Sequence, residues 1–253
     1  MIDIKEFIQE NIKVLVAERS STMYKEPIIA FADAKDPEFE SIKKITHEKH
    51  MLPEEWMPTG KTIVSYFIPF SKDLMEKNRR HEYVAKEWAV AYIETNNLIK
   101  EINAKLAGAL KKFDIETVWQ LPPNSFDDEK LMACWSQRHI AYIAGLGTFG
   151  LNNMLLTDKG CSGRYGSFII DYPIEPAAKD RKEKCLYKLN GSCGKCMELC
   201  PVQALTPGGF DRNRCNERVW QVDAFYHDLA ECDCCGKCLL GPCAIWDRGS
   251  QLR

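Results

Sequence analysis

The chain has 253 residues, a formal net charge of −2 and 45% hydrophobic residues, enough for one large domain or a large and a small one around a substantial core. Near-neutral charge leaves no broad basic face for nucleic acid, and no apolar run is long enough to span a membrane.

The first twenty residues are interrupted by Asp3, Lys5, Glu6 and Glu10 and hold no signal-peptide core, so a soluble protein of a reducing compartment, the cytoplasm, is expected. Residues 3–18 read as an amphipathic helix capped by Asp3, with Ile4, Phe7, Ile8, Ile12 and Leu15 on one face. A buried strand is predicted over 27–32 and a helix over 36–45, with Pro37 in its first turn. His47 and His50 lack the HExxH pattern and read as solvated surface. The β-branched and aromatic content of 62–69 predicts a strand. One long helix is expected over 82–112, turning Val84, Trp88, Ala91, Tyr92, Ile99, Ile102 and Leu106 inward, and strands over 115–119 and 167–171. Strands alternating with helices make 1–175 an α/β layered domain, with Pro173 and Pro176 marking the boundary to a second domain, 176–253.

That second part carries ten of the twelve cysteines. Cys193, Cys196, Cys200 and Pro201 spell C-x2-C-x3-C-P, a close variant of the bacterial ferredoxin run, in which the cysteine before proline serves the other cluster. Two 4Fe–4S cubanes need eight thiolates, and the spacing offers Cys185, Cys193, Cys196, Cys200, Cys215, Cys235, Cys238 and Cys243. On the crossed ferredoxin pattern Cys185, Cys193, Cys196 and Cys243 hold one cluster, and Cys200, Cys215, Cys235 and Cys238 the other. Cys232, Cys235 and Cys238 form a rival frame that would release Cys215, and Cys234 is spare. Disulfides would require export, and structural zinc gives no reason for the Cys-Pro ending. Cys134 and Cys161 read as ordinary buried thiols.

Late in the first part, Gly145-x-Gly147-x-x-Gly150 fits a dinucleotide fingerprint with Asp171 about twenty residues on. The preceding segment is helical, however, and too few residues follow for the phosphate-binding helix. Glycine at this density instead lets backbone approach something flat or bulky. AlaGlyLeuGlyThrPheGlyLeu (144–151), LeuLeuThr (155–157) and GlyCysSerGlyArgTyrGlySer (160–167), followed by the cysteine-rich tail, resemble the epoxyqueuosine reductase and reductive dehalogenase superfamily. Within it the chain looks like the short epoxyqueuosine reductase-like iron–sulfur proteins.

The resemblance covers residues 27–243. It implies a nitroreductase-like cobalamin-binding domain followed by a ferredoxin-like two-cluster domain, with electrons from a ferredoxin or flavodoxin reaching cobalt through the clusters. The glycine segment (Gly145, Leu146, Gly147, Thr148, Phe149, Gly150, Leu151 and Asn152) and an Arg164–Ser167 turn with Gly166 would lie against the corrin. The family's Asp-Tyr-His proton-donor motif is missing; in AlaTyrIleGluThrAsnAsn (91–97) Glu94 could substitute, and Tyr92 is a second donor candidate. Arg138 and His139 either face the cofactor or anchor the junction, and His139 is a candidate proton carrier. The family's C-terminal helical extension that holds tRNA has no counterpart in the ten residues after Cys243. The expected substrate is therefore a small molecule rather than tRNA, with no membrane partner. No D-x-H-x-x-G motif offers cobalt a histidine, and no twin-arginine signal is present. A two-cluster electron carrier or corrinoid-reactivating partner with no substrate of its own is the alternative.

Overall fold

Residues 2–19, 24–121 and 125–245 are described by the structure, a computed structural model. Helix α1 (Ile4–Ala17) starts where the Asp3 carboxylate accepts from the Lys5 and Glu6 amides, a cap for otherwise orphaned donors. Strand β1 (Ile28–Asp33), helix α2 (Glu38–Ile45), the single turn α3 (Pro53–Trp56) and strand β2 (Thr62–Pro69) follow. Helix α4 (Lys72–Arg80) is capped by the Ser71 hydroxyl, and helix α5 (Lys86–Leu110) comes next. After the short strands β3 (Thr117–Val118), β4 (Phe126–Asp127) and β5 (Met132–Ala133) come α6 (Gln137–Ile143), β6 (Gly147–Phe149), β7 (Leu155–Thr157) and β8 (Gly163–Ile170). The cysteine-rich part holds α7 (Leu186–Asn190), α8 (Lys195–Glu198), β9 (Leu205–Thr206), β10 (Gly209–Phe210) and α9 (Arg212–Phe225).

Strands β1, β2, β8 and β3 lie side by side in that order, every pairing antiparallel, with Thr62 opposite Ile170 and Pro69 opposite Gly163. All of β2 is buried, so both faces of the sheet's centre are covered. Strand alternation divides the side chains between those faces. Val64, Tyr66, Ile68, Phe168 and Ile170 meet Ile8 and Ile12 of α1 and Leu98, Ile102 and Leu106 of α5. Ile63 and Ile169 meet Phe39 and Ile42 of α2 and Ile140 and Ile143 of α6. The mixed α/β architecture expected from the sequence is present.

A third apolar cluster reaches into the cysteine-rich part. Phe70, Leu74, Met75, Val84 and Trp88 share it with Val222, Tyr226, Leu240 and Ala244. Helix α5 therefore serves two cores: its second half packs on the sheet and its first turns pack on the cysteine-bearing loops.

Three expectations change. The predicted long helix begins at Lys86, with Val84 on the turn before it, and α4 is a separate helix that the sequence reading missed. His47 and His50 are buried rather than solvated. His50 Nε2 accepts from the Ser136 amide at 2.9 Å, which leaves Nδ1 to donate to the Met51 carbonyl at 2.8 Å. The predicted turn at Arg164–Ser167 is the interior of β8, whose polar start hid its true length.

Candidate functional site

The cysteines sit mainly on loops and short helical turns. Cys185 is the residue before α7, which Gly191 ends in the left-handed conformation (φ 74°), and Cys193 and Cys196 flank the start of α8. Cys185, Cys193, Cys196 and Cys243 line one cavity of about 230 Å³, walled on the other side by Gly150, Leu151, Asn152 and Leu156. Burial, and after it the neighbouring Cys243, Cys185 and Cys193, pushes the Cys196 thiol up to about 11. Such crowding of would-be thiolates is what the positive charge of a metal core relieves.

Cys215 lies on α9, and Cys235 and Cys238 flank Gly236. Burial, then Cys235 and Cys200, pushes the Cys215 thiol up to about 11, while Arg138 acts the other way. Cys238 is raised by burial and then by Cys235, Cys215, Cys200 and Cys196, so these sulfurs are electrostatic neighbours. The Ala204 amide donates to Cys200 Sγ at 3.2 Å. Among the described residues no three His, Cys, Asp or Glu side chains close on a single ion. All twelve cysteines are free thiols. Cys232 and Cys234 are buried in the apolar cluster around Trp88. Cys134 is buried as expected. Cys161 is also buried, but its Sγ stands 3.6 Å from Cys243 Sγ, a contact not legible from their 82-residue separation.

The glycine segment packs on its own chain. Gly147 sits in β6 against β7, where a Cβ would come 2.4 Å from the Leu156 carbonyl oxygen, and one on Gly150 would strike the Leu156 side chain at 2.3 Å. Both glycines thus let β6 and the turn after it pack closely on β7. Gly145 adopts φ 86° against Lys179, and Leu146 is buried beside Phe67 and Tyr165. Leu151 and Asn152 line the thiol cavity. Gly166 lies under the Tyr66 ring. Ser167 accepts from Trp135 Nε1 at 2.9 Å and donates to Gln137 at 2.8 Å, so it serves the core.

A polar group converges beside the second set of sulfurs. Arg164 donates to Asn96 at 2.7 Å and stacks 4.2 Å above the Tyr92 ring, while the Tyr92 hydroxyl donates to Asp233. Burial pushes Tyr92 up to about 12, so it stays protonated at neutral pH. Arg138 donates to the Asn153 carbonyl at 2.9 Å, with Arg212, Arg164 and Cys215 as electrostatic neighbours. Glu94 is half-buried two residues along α5 from Tyr92.

His139 belongs to a different group. Its Nδ1 is 2.7 Å from the Ser136 hydroxyl and its ring 4.8 Å from that of Phe149. Burial, then Arg138, lowers it to about 4, so it is neutral at pH 7 and not the near-neutral titrant expected. With Thr148, Phe149, Tyr142, Arg181 and Lys188 it lines a second cavity of about 520 Å³. Asp233, between two cysteines, carried a faint sequence signal; Asn96 and Cys161 carried none.

No protein-family model matches the chain. In sequence it is similar to the epoxyqueuosine reductase of Bacillus cereus, 25% identical over 206 residues covering 74% of this chain and 50% of that protein. The Bacillus subtilis epoxyqueuosine reductase is 26% identical over 212 residues, covering 74% and 49%. The chain thus spans about half the length of the curated relatives it matches. In fold it is similar to the epoxyqueuosine reductase from Streptococcus thermophilus, with TM-score 0.63, 18% identity and coverage of 99% of this chain and 68% of that one. An epoxyqueuosine reductase solved with an epoxyqueuosine-modified tRNA-Tyr stem loop gives TM-score 0.59 at 19% identity, covering 96% and 69%. The catabolic reductive dehalogenase NpRdhA gives 0.55 at 14%, covering 92% and 35%. The expected resemblance to this superfamily, whose named members are oxidoreductases, is present in both sequence and fold.

Proposed function

We propose that the chain is a corrinoid-dependent iron–sulfur oxidoreductase carrying two 4Fe–4S clusters, with residues 1–175 forming the corrinoid-facing part and 176–253 the cluster part. The observation that carries it is the cavity lined by Cys185, Cys193, Cys196 and Cys243: three thiols close in sequence and a fourth remote from them, around one space. A soft all-thiolate donor set fits an iron–sulfur cluster. The mutual proximity of Cys200, Cys215, Cys235 and Cys238 supports the second site and the frame that retains Cys215.

For the corrinoid, the fit rests on the polar group of Tyr92, Asn96, Arg138, Arg164, Arg212 and Asp233, which offers donors suited to an amide-rimmed ring beside Cys215. When bound, the clusters and corrinoid would supply one-electron carriage and a strongly reducing cobalt. The chain's own part is to hold the thiolates, orient the ring through Arg138 and Arg164, and keep a proton on Tyr92 against Asp233. A ferredoxin or flavodoxin is the proposed electron donor and a small molecule the proposed substrate. The relative solved with a modified tRNA stem loop makes RNA the second class to test.

The self-packed glycine segment favours one other reading, an electron carrier without corrinoid. Anaerobic visible spectra with and without cobalamin, alongside iron, sulfide and cobalt analysis, separate the two. About eight irons per chain with a corrin spectral change supports the reductase. The same iron without corrin uptake leaves the carrier, and zinc in place of iron overturns both.

A further inference from the structure

We infer that Cys161 sets the reduction potential of the cluster at the Cys185, Cys193, Cys196 and Cys243 cavity by donating its S–H to the Cys243 sulfur. The inference rests on the cluster reading proposed above. Cys161 is fully buried, 82 positions before Cys243, and the two Sγ atoms are 3.6 Å apart. It does not line the cavity, so it acts through Cys243.

The turn that carries it is fastened to the ligand loop at three points. The Cys161 amide donates to the Cys243 carbonyl at 3.2 Å, and the Ser162 hydroxyl donates to the Leu239 carbonyl at 2.6 Å. At Gly160, with φ 95°, a Cβ would come 2.1 Å from the Ala244 carbonyl oxygen, so only glycine lets the two loops approach this closely.

The thiol proton has two acceptors within reach. Asn152 Nδ2 donates to Cys161 Sγ at 3.7 Å and so occupies a lone pair rather than the hydrogen. The acceptors are the Leu239 carbonyl at 4.0 Å, which also accepts the shorter Ser162 bond, and the nearer Cys243 Sγ at 3.6 Å. A metal-bound thiolate carries charge, and charged acceptors draw the stronger bond. Hydrogen bonds to cluster sulfurs favour the more negative, reduced state and raise the potential.

The test uses the iron-loaded full-length protein with its Cys161→Ala, Cys161→Ser and Cys243→Ala variants. Each is titrated anaerobically with low-potential mediators, followed by electron paramagnetic resonance, with iron and sulfide counted on the same samples. Cys161→Ala is expected to keep its iron and lower the potential of one cluster only. Cys161→Ser, which retains a hydroxyl donor, is expected to restore that potential. Unchanged potentials in Cys161→Ala, with iron reduced in Cys243→Ala, overturn the inference alone. Full iron in Cys243→Ala overturns the ligand assignment, and this inference with it. If Cys161→Ala sheds iron, an infrared difference between the wild type and Cys161→Ser decides. The Cys161 S–H band is expected to move to lower frequency on cluster reduction, and a stationary band overturns the inference.

Discussion

Asn78, fully buried near the end of α4, ties that helix to the cysteine loop. Its side-chain nitrogen donates to the Cys235 carbonyl at 3.1 Å, and its side-chain oxygen accepts from the Ala85 amide at 3.1 Å. Its own carbonyl receives Lys237 Nζ at 2.5 Å, a bond that survives truncation. Asn78→Ala strands the first two backbone groups. Each stranded buried group costs about 1–3 kcal/mol, and the Cys235 side is only partly buried, so about 3 kcal/mol is expected in total. At about 2–4 °C per kcal/mol for a chain of this size, the melting temperature should fall by about 6–12 °C. Anaerobic thermal melts, followed by far-ultraviolet circular dichroism and by the visible absorbance of the iron-loaded protein, read both the fold and the cysteine loop. The two signals should move down together. A melt within about 2 °C of wild type would mean that water or a neighbour replaces both partners, and the reasoning would be wrong.

Gly236→Ala places a methyl 2.1 Å from the Trp88 ring at a position with φ 70°, so iron content should fall by about half, the share of one of two cubanes; retention of all iron would refute the packing argument. Cys215→Ala should likewise shed about half the iron while Cys232→Ala keeps it, and the opposite pattern would select the rival ligand frame. His50 is lowered by burial from 6.5 to about 4, so its contribution to stability is complete above pH 6.5 and is lost as pH falls toward 4. That window is worth on the order of 3 kcal/mol, and His50→Gln should flatten part of it, His139 keeping its own share. An acid profile identical to wild type would show that His50 is already solvated.

What the sequence revealed depended on periodicity and spacing. The α1 stripe and the inward face of α5 follow from side chains repeating at helical period, and β2 from its β-branched and aromatic content; Ile8, Ile12, Ile102 and Leu106 are all fully or almost fully buried. The cysteine set was legible because short thiol spacings carry their own chemistry. Helix α4 was not, because its sequence is dominated by Lys, Arg, Glu and Asn, and its buried face, Leu74, Met75 and Asn78, carries only two apolar residues, adjacent in sequence. His50 was misread because its neighbours are charged; its burial comes from Trp135 and the Ser136 amide, far away in sequence. The glycine segment is only partly legible for a related reason. Small residues permit close approach, but the sequence does not say to what, and here β7 occupies the space.

The apolar cluster shared between α4, α5 and the cysteine-rich part bears on modularity. Helix α9 buries only Val222, and the buried apolar residues around it, Tyr226, Leu240 and Ala244, find their partners in Phe70, Val84 and Trp88. A segment of this size rarely stabilises itself without such partners or a metal. The cysteine-rich part is thus a poor candidate for transplantation onto another protein: cut free, it would expose half of a core whose other half stays behind. Its sequence is free to drift only in step with the first turns of α5, so changes at Trp88 and around Gly236 must be made as a pair.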